Sequence, residues 1–323
     1  MLQYKVLVTS IGGDLGKAVC KSLKYSAYNI KILGTDCLNY VPYPIFCDEF
    51  LIIPKAENSG YIDFISNLIL QNSIDIVYVC SEQELLYICD NFHMLSKEIR
   101  TRIAIPPIEV INMCRDKYKT MEFLKDNEFP YPKSILYDKL IKEEELLKNF
   151  NYPFIVKKTV DCGSKHLHVI RDINEFRNIA DLDCTYMLQE YIPGIEYTNA
   201  VYKDAFTDEI YVITLERTLK DGMSDEVKVV SNKEIKELCI EVAKKIKLSG
   251  SINIQLRKQD DGAPIIFEIN PRYSSTAFMR AKFGFNDVIF AFENIVLKKA
   301  ISKPQIKRGE AYRYITEYYK FYL

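Results

Sequence analysis

The chain has 323 residues, enough for two or three domains with a large buried core. Its 43 lysines and arginines almost cancel its 44 aspartates and glutamates, which excludes a strong electrostatic attraction to nucleic acid or to an anionic membrane. No apolar run approaches the ~18 residues that a membrane-spanning helix needs. Nine cysteines lie mostly in apolar runs without any CxxC spacing, so we expect reduced core thiols. Because Met1 leads directly into a predicted strand without a cleavable signal, we expect a cytoplasmic protein.

The N-terminal segment is a predicted βαβ unit. A strand, a glycine loop, a helix and a second strand follow one another at residues 4–8, 12–16, 17–25 and 30–36. A dinucleotide site would need Gly-x-Gly-x-x-Gly and an acid about twenty residues further on. Asp36 supplies the acid, but Ile11 stands where the first glycine belongs, so the fingerprint is broken. An NAD-dependent oxidoreductase that uses this unit stays open as an alternative.

Glu82 follows a strand of the same predicted sheet. Strands at 74–80 and 103–105 and a helix at 61–71 continue the alternation expected of a parallel sheet. Open α/β sheets bind ligands beyond the carboxyl ends of their strands, which makes Glu82 a candidate substrate contact. An acid at a helix N-terminus also suits the helix dipole, so a structural explanation is equally available.

The middle of the chain supplies candidate phosphate contacts. Lys117 opens an amphipathic helix, and Lys157 lies at the end of a strand that starts near Tyr152. The loop 161–165 contains Gly163 and Ser164, whose backbone N–H groups could approach phosphate oxygens. Each feature alone also fits an ordinary solvated surface. No GxxxxGK[ST] motif is present, so the commonest phosphate-binding loop of ATP-binding proteins is excluded.

Two runs near the C-terminal end predict one β-hairpin. Residues 250–257 and 263–270 alternate polar with apolar side chains, and Asp261-Gly262 between them is a strong hairpin turn. A turn centred there pairs residues whose numbers sum to 523, so Gln255 faces Glu268 and Asn253 faces Asn270 on one side. The other side would be filled by Ile252, Ile254, Ile265, Phe267 and Ile269.

The polar side of this hairpin suits a metal and a phosphate. A carboxylate and two amides offer hard oxygen ligands for Mg²⁺, and Arg272 just beyond offers a planar fork for phosphate. The polar outer face of an ordinary hairpin explains the same spacing, because Asn and Gln are common on solvated strands.

The run Phe267-Glu268-Ile269-Asn270-Pro271-Arg272, preceded by Gln255, resembles the metal-binding signature of the ATP-grasp superfamily. The following Ser274-Ser275-Thr276-Ala277 is similar to the carbamoyl-phosphate-synthase-like branch. The resemblance implies that Glu268 bridges two Mg²⁺ ions, for which Mn²⁺ is a substitute, and that Gln255 and Asn270 each complete one. It also implies that Arg272 contacts the transferred phosphate.

The same resemblance assigns the nucleotide contacts. Lys117 and Lys157 would touch the phosphates, and the loop with Gly163 and Ser164 would cover them, although the family usually has more glycines there. Residues 187–196 resemble the hinge in which backbone groups at Glu190 and Ile192 bind adenine and Glu196 binds the ribose.

Arg217 and Lys228 are candidates to neutralise a substrate carboxylate, together with Glu82 as a further substrate contact.

We therefore expect an α/β protein with a Rossmann-like domain at 1–112 followed by a two-lobed α+β ATP-grasp domain, with lobes at 113–188 and 189–323. The implied activity is an ATP-dependent ligase that joins a small-molecule carboxylate to an amine or other nucleophile through an acyl phosphate, releasing ADP and phosphate. A homodimer is compatible with this reading, and no nucleic-acid or membrane partner is expected. A non-catalytic ATP-binding regulatory subunit is the second alternative.

Overall fold

The computed structural model describes residues 2–39, 41–138, 148–161, 166–179, 182–220, 222–260, 262–314 and 316–319. Within these ranges one parallel and two antiparallel sheets form. None of the helices in the described ranges is long and apolar enough to cross a membrane. Four cysteines from apolar runs are buried free thiols, as predicted: Cys20, Cys80, Cys89 and Cys239.

The first part of the chain is a parallel sheet covered by helices on both faces. Its strands lie in the order β3-β2-β1-β4 and are β1 Tyr4–Val8, β2 Ile30–Asp36, β3 Glu49–Ile52 and β4 Ile76–Tyr78. The helices are α1 Asp14–Lys24, α2 Tyr61–Gln71, α3 Glu82–Asp90 and α4 Lys97–Arg100. Val6 and Val8 of β1 enter the core on the side of α1, whereas Leu7 enters the core on the side of α2 and α3. The predicted Rossmann-like fold is confirmed.

The predicted strand at 103–105 is only an isolated parallel bridge between Val77 and Ile103. Pro106 and Pro107 follow at once and have no N–H groups with which to extend a ladder. The next helix, α5 Ile108–Cys114, contains the predicted domain boundary at 112. Its buried residues pack on two different cores, so this helix belongs to both parts of the molecule.

A small antiparallel sheet follows helix α6 Lys117–Asp126. Its strands lie in the order β5-β8-β6-β7 and are β5 Ser134–Leu136, β6 Phe154–Lys158, β7 Leu167–Ile170 and β8 Tyr186–Glu190, with helix α7 Ile173–Arg177 beside them. Phe154, Val156 and Leu188 form the centre of its separate core. The predicted lobe boundary after residue 188 falls inside β8.

The C-terminal part is a six-stranded antiparallel sheet in the order β13-β12-β9-β10-β11-β14. Its elements are β9 Ile195–Lys203, β10 Ile210–Lys220, β11 Met223–Val230, α8 Lys233–Lys245, β12 Gly250–Lys258, β13 Ile265–Asn270, α9 Ala277–Lys282, α10 Asp287–Ile295 and β14 Glu310–Tyr312. Helix α8 covers one face, and α9 and α10 cover part of the other.

The face of the six-stranded sheet that α9 and α10 cover shares its hydrophobic core with the parallel sheet. Tyr78 of β4 donates a hydrogen bond to the carbonyl of Val288 in α10 at 2.7 Å, and the rings of Tyr78 and Tyr273 lie 5.8 Å apart. The carboxyl end of β4 is therefore packed against the segment that follows β13.

The predicted hairpin register is confirmed at its polar end and wrong near the turn. Gln255 pairs with Glu268 and Asn253 pairs with Asn270, but Leu256 pairs with Ile266. Phe267 is thus an extra residue in a bulge, which reverses the side-chain direction of the residues before it. Ile266 enters the core in place of Ile265 and Phe267, and Phe267 lines the cleft described next.

Candidate active site

A cleft of about 510 Å³ lies between the small sheet and the six-stranded sheet. Its walls come from strands of both sheets and from α1 and α6. It contains most of the predicted site residues: Lys117, Lys157, Glu190, Ile192, Glu196, Arg217, Gln255, Glu268, Asn270 and Arg272. The structure thus brings together residues that are separated by as much as half of the chain.

The candidate metal ligands lie on the paired strands β12 and β13. Gln255 stands opposite Glu268, and Asn270 lies two residues further along the same strand, so all three project from one face into the cleft. Asn253 shares their face but is buried, and its Oδ1 accepts a hydrogen bond from Thr198 Oγ1 at 2.9 Å. One carboxylate and two amide oxygens remain, and this donor set fits a hard divalent cation.

Lys157, on β6, faces this group from the small sheet. Only 6% of the residue is exposed, and desolvation lowers the pKa of its amine to about 8. The negative charge of Glu268 opposes this shift, and the positive charge of Lys117 adds to it. A buried amine with neighbouring positive charge gains most from an anion that enters the cleft.

Lys117 is placed by the start of helix α6. Asp116 caps this helix by accepting hydrogen bonds from the backbone N–H groups of Tyr118 and Lys119. The Lys117 ammonium donates to the carbonyl of Asp161 at 2.6 Å. This contact ties α6 to the segment that leads into the predicted phosphate loop.

Gly163 and Ser164 of that loop lie outside the described residues. The residues on either side, Asp161 and His166, line the cleft, and His166 Nδ1 lies 2.9 Å from Asp161 Oδ2. The proposed covering role of the loop stays a prediction.

The hinge between the two sheets lines the other end of the cleft. Glu190 ends β8, and its side chain accepts a hydrogen bond from the backbone N–H of Lys133 at 3.1 Å. Ile192 follows, and its carbonyl accepts a hydrogen bond from Arg257 Nη1 at 3.1 Å. The Ile192 carbonyl is therefore already engaged by the protein.

Glu196 is held between two arginines. Arg217 Nη2 lies 2.6 Å from Oε1, and Arg257 Nη2 lies 3.0 Å from Oε2. Arg257 is directly opposite Glu196 in the β9–β12 register, so cross-strand pairing accounts for the contact. The sequence reading missed Arg257, although its strand position two residues after Gln255 on the same face was available as a signal.

The two basic residues predicted near the substrate carboxylate are separated by the structure. Arg217 lines the cleft beside Glu196, at the hinge end. Lys228 does not line it, because β11 pairs Val227 with Arg217 and turns the next side chain to the opposite face. The Lys228 amine instead lies 3.7 Å from the Glu310 carboxylate on the neighbouring strand β14.

Arg272 and Glu82 meet at the opposite end. Arg272 follows β13, and its Nε and Nη2 donate to Glu82 Oε2 at 3.3 and 3.0 Å. Glu82 is the first residue of α3, so this ion pair connects the parallel-sheet domain to the end of the β12–β13 hairpin. The parallel-sheet domain also contributes Asp14 and Leu15 to the cleft wall, and neither is among the predicted site residues.

The broken dinucleotide fingerprint has a structural counterpart. The backbone N–H of Gly12 donates to Asp36 Oδ2 at 2.8 Å, and that of Leu38 donates to Oδ1 at 3.0 Å. Asp36 is also buried. Both oxygens of the acid that would bind a nicotinamide-cofactor ribose are therefore occupied by the protein's own backbone.

Comparison with known proteins gives two family matches. Residues 114–276, half of the chain, match the model described as the ATP-grasp domain. Residues 6–101 match the model described as the PylC-like N-terminal domain.

Several relatives share this architecture. The carbamoyl phosphate synthase large chain of Methanoregula boonei is 21% identical over 285 residues, which cover 83% of this chain and 26% of the relative, so the chain spans about a quarter of that protein. The structure of N5-carboxyaminoimidazole synthetase from Staphylococcus aureus complexed with ADP has a TM-score of 0.74 at 15% identity, covering 94% of this chain and 81% of the other.

The biotin carboxylase domain dimer of Hydrogenobacter thermophilus 2-oxoglutarate carboxylase, in complex with MgADP and bicarbonate, has a TM-score of 0.71 at 16% identity. The match covers 96% of this chain and 74% of that one. At such identities these likenesses concern the fold.

Proposed function

This chain belongs to the ATP-grasp family, and from that premise we propose that it is an ATP-dependent ligase that joins a carboxylate to an amine and releases ADP and phosphate. The observation that carries the proposal is the convergence of Lys117, Lys157, Glu268 and Arg272 on one cleft. Two ammonium groups, a carboxylate flanked by amides and a guanidinium are the complement of a metal-bound polyphosphate.

The nucleotide would lie along the cleft from the hinge to the hairpin. The adenine edge would lie against the backbone of Glu190 and Ile192, and since Arg257 already engages the Ile192 carbonyl, Ile192 would contribute its backbone N–H. The ribose would lie beside Glu196, whose carboxylate the flanking arginines hold in place. The phosphates would then reach Lys117 and Lys157, which both line the cleft.

Gln255, Glu268 and Asn270 fit Mg²⁺ by the chemistry of their oxygens. We propose two ions, with Mn²⁺ as a substitute. When bound, they would neutralise charge on the terminal phosphates of ATP. The protein contributes the positions of the three oxygens, which cross-strand pairing of β12 and β13 fixes.

The reaction proposed has two balanced steps. A carboxylate oxygen attacks the γ-phosphorus, the bond from that phosphorus to the ADP oxygen breaks, and an acyl phosphate forms. An amine then attacks the acyl carbon, the carbon–oxygen bond breaks, phosphate leaves and the amine loses a proton. Lys157 and Arg272 stabilise the charge on the phosphoryl group during the first step. No protein nucleophile is required.

An amine is favoured as the second substrate by the charge of the far wall. Asp14, at the start of α1, lines the cleft on the side of the parallel-sheet domain, and 35% of its side chain is exposed. Among the described residues, its ion-pair partner is the ammonium of Lys17, 3.9 Å away on the same helix. A carboxylate here attracts a protonated amine and repels a phosphorylated substrate.

A screen for ADP release over pools of carboxylates and amines identifies the substrate pair. With that pair in hand, an ¹⁸O-labelled carboxylate tests the mechanism, because the bridging oxygen must leave with phosphorus. We expect one label in the released inorganic phosphate. Label in AMP, with pyrophosphate as co-product, would overturn the proposed phosphoryl transfer.

The two alternatives make different predictions. An oxidoreductase should be stabilised thermally by NADH, whereas we expect stabilisation by Mg-ATP only, because Asp36 is engaged by Gly12 and Leu38. A non-catalytic ATP-binding subunit should bind Mg-ATP without turnover for any substrate pair, although a full set of phosphate and metal side chains argues for catalysis.

A further inference from the structure

The ion pair between Arg272 and Glu82 assigns a role to a residue outside the phosphate and metal set. We propose that Glu82 is a positioning residue, which orients the Arg272 guanidinium toward the phosphoryl group that is transferred, and that it does not contact substrate. This inference rests on the proposed function, because it concerns the orientation of the Arg272 guanidinium in that reaction.

The hydrogen-bond inventory of Arg272 supports an oriented guanidinium. Arginine has five N–H donors in a rigid plane. Nε and Nη2, along one edge, both donate to Glu82 Oε2, and Nη1 donates to the carbonyl of Tyr273 at 3.3 Å. Three donors are thus used within the described part of the protein. One donor remains on each terminal nitrogen, and these two donors are left to meet two oxygens of a phosphate.

Glu82 is attached to a rigid support. Helix α3 begins at Glu82, and Ser81 caps it by accepting a hydrogen bond from the backbone N–H of Glu84. The buried carboxylate of Glu84 accepts hydrogen bonds from Thr9 Oγ1, Ser10 Oγ and Tyr61 Oη, each at 2.7 Å. These contacts fasten the first turn of α3 to the loop after β1. A side chain on such a support can hold its partner in one orientation.

The charge of Glu82 argues against contact with the substrate carboxylate, and its position argues against contact with a substrate in the main cleft. The side chains of Arg272 and Glu82 are 25% and 27% exposed, so their attraction is only partly screened by water. Glu82 lines a small crevice that Lys117, Glu268 and Arg272 also line, and it does not line the main cleft. A substrate carboxylate that approached Glu82 would meet like charge. Glu82 therefore acts on the reaction through Arg272.

Two variants and one matched control test this role. Glu82→Gln keeps the size of the side chain but removes its charge, and Glu82→Asp keeps the charge on a shorter stem. The control is Asp90→Asn, which removes the other ion pair of α3, from Asp90 Oδ1 to Arg115 Nη1 at 2.6 Å. Because partly exposed pairs contribute little to stability, all three proteins should fold.

We expect Glu82→Gln to lower kcat about 10- to 100-fold with little change in the KM for ATP or for either substrate. Glu82→Asp should recover part of the loss, and Asp90→Asn should match the unchanged protein. In the Arg272→Lys background, Glu82→Gln should cost nothing further, because the two residues act as one unit. An unchanged kcat, or a raised substrate KM with kcat intact, would overturn the positioning role.

A readout that needs no turnover separates this inference from the proposed function. The Nε–H signal of Arg272, identified by its absence from ¹⁵N spectra of Arg272→Lys, should exchange slowly with solvent in the unchanged protein. Glu82→Gln should accelerate that exchange, and Asp90→Asn should not. A protein without ATP turnover but with this pattern would refute the ligase proposal and retain the contact, whereas unaltered exchange in Glu82→Gln would refute the contact itself.

Discussion

The buried ammonium of Lys157 provides a test that requires no knowledge of the substrates. Desolvation lowers its pKa from 10.5 to about 8. Each pKa unit corresponds to about 1.4 kcal/mol, so burial of the charged amine destabilises the folded protein by about 3 kcal/mol at pH 7. Between pH 8 and 10.5 the unfolded chain retains a proton that the folded chain has lost. The free energy of unfolding therefore rises with pH across this window, and the penalty falls to about 1 kcal/mol at pH 10.

Lys157→Met removes this penalty while preserving most of the side-chain volume. We expect urea unfolding at pH 7 to give the variant a higher free energy of unfolding than the unchanged protein. At pH 10 the difference between the two free energies should be smaller by about 2 kcal/mol. The neighbouring Lys158→Met is the matched control, because it removes one lysine charge from the same strand. If the difference in free energy of unfolding between Lys157→Met and the unchanged protein is the same at pH 7 and pH 10, the Lys157 amine is not desolvated.

The same proton reports on phosphate binding. A polyphosphate in the cleft favours the charged amine, so binding of a non-hydrolysable Mg-ATP analogue at pH 8 should take up about half a proton at Lys157. Calorimetry in two buffers of different ionisation enthalpy measures this uptake. It should vanish in Lys157→Met, and uptake that persists in that variant would show that another group is the source.

Three further substitutions test the assigned roles. Glu268→Gln should abolish Mg-dependent ADP release in a folded protein, because a neutral amide cannot hold two divalent cations, and near-normal release would contradict the metal assignment. Lys117→Ala should weaken ATP binding more than adenosine binding in calorimetric titrations, and an equal loss for both ligands would exclude a phosphate contact. Glu196→Ala should weaken adenosine binding. It should also lower the free energy of unfolding by about 2 kcal/mol, since Arg217 and Arg257 both lose their charged acceptor. An unchanged free energy of urea unfolding would contradict a stabilising role for these two ion pairs.

Local pattern was sufficient to predict the register at the polar end of the β12–β13 hairpin. The alternation of side chains and the turn at Asp261-Gly262 predicted the pairing of Gln255 with Glu268, and the structure has it. Such short-range features are readable because the alternation of side chains along two adjacent strands leaves few alternative registers.

Pattern failed where one backbone irregularity changed the direction of side chains. The bulge at Phe267 sent Ile266 into the core and Phe267 into the cleft. Lys228 was misplaced because its direction follows from the pairing of β11 with β10, which sequence spacing from Arg217 does not reveal. A shift of one residue exchanges the two faces of a strand, so small errors have large consequences.

The sequence by itself determined the family resemblance, the Rossmann-like start and the chemical character of the site, because these depend on residue types and short spacings. Only the tertiary structure decided which charges meet. Glu82 and Arg272 are 190 positions apart, and Glu196 is shared by arginines from two different strands. Such partners are set by the packing of whole domains and sheets, and the energy of an ion pair depends on distances of a few ångströms that no local pattern encodes.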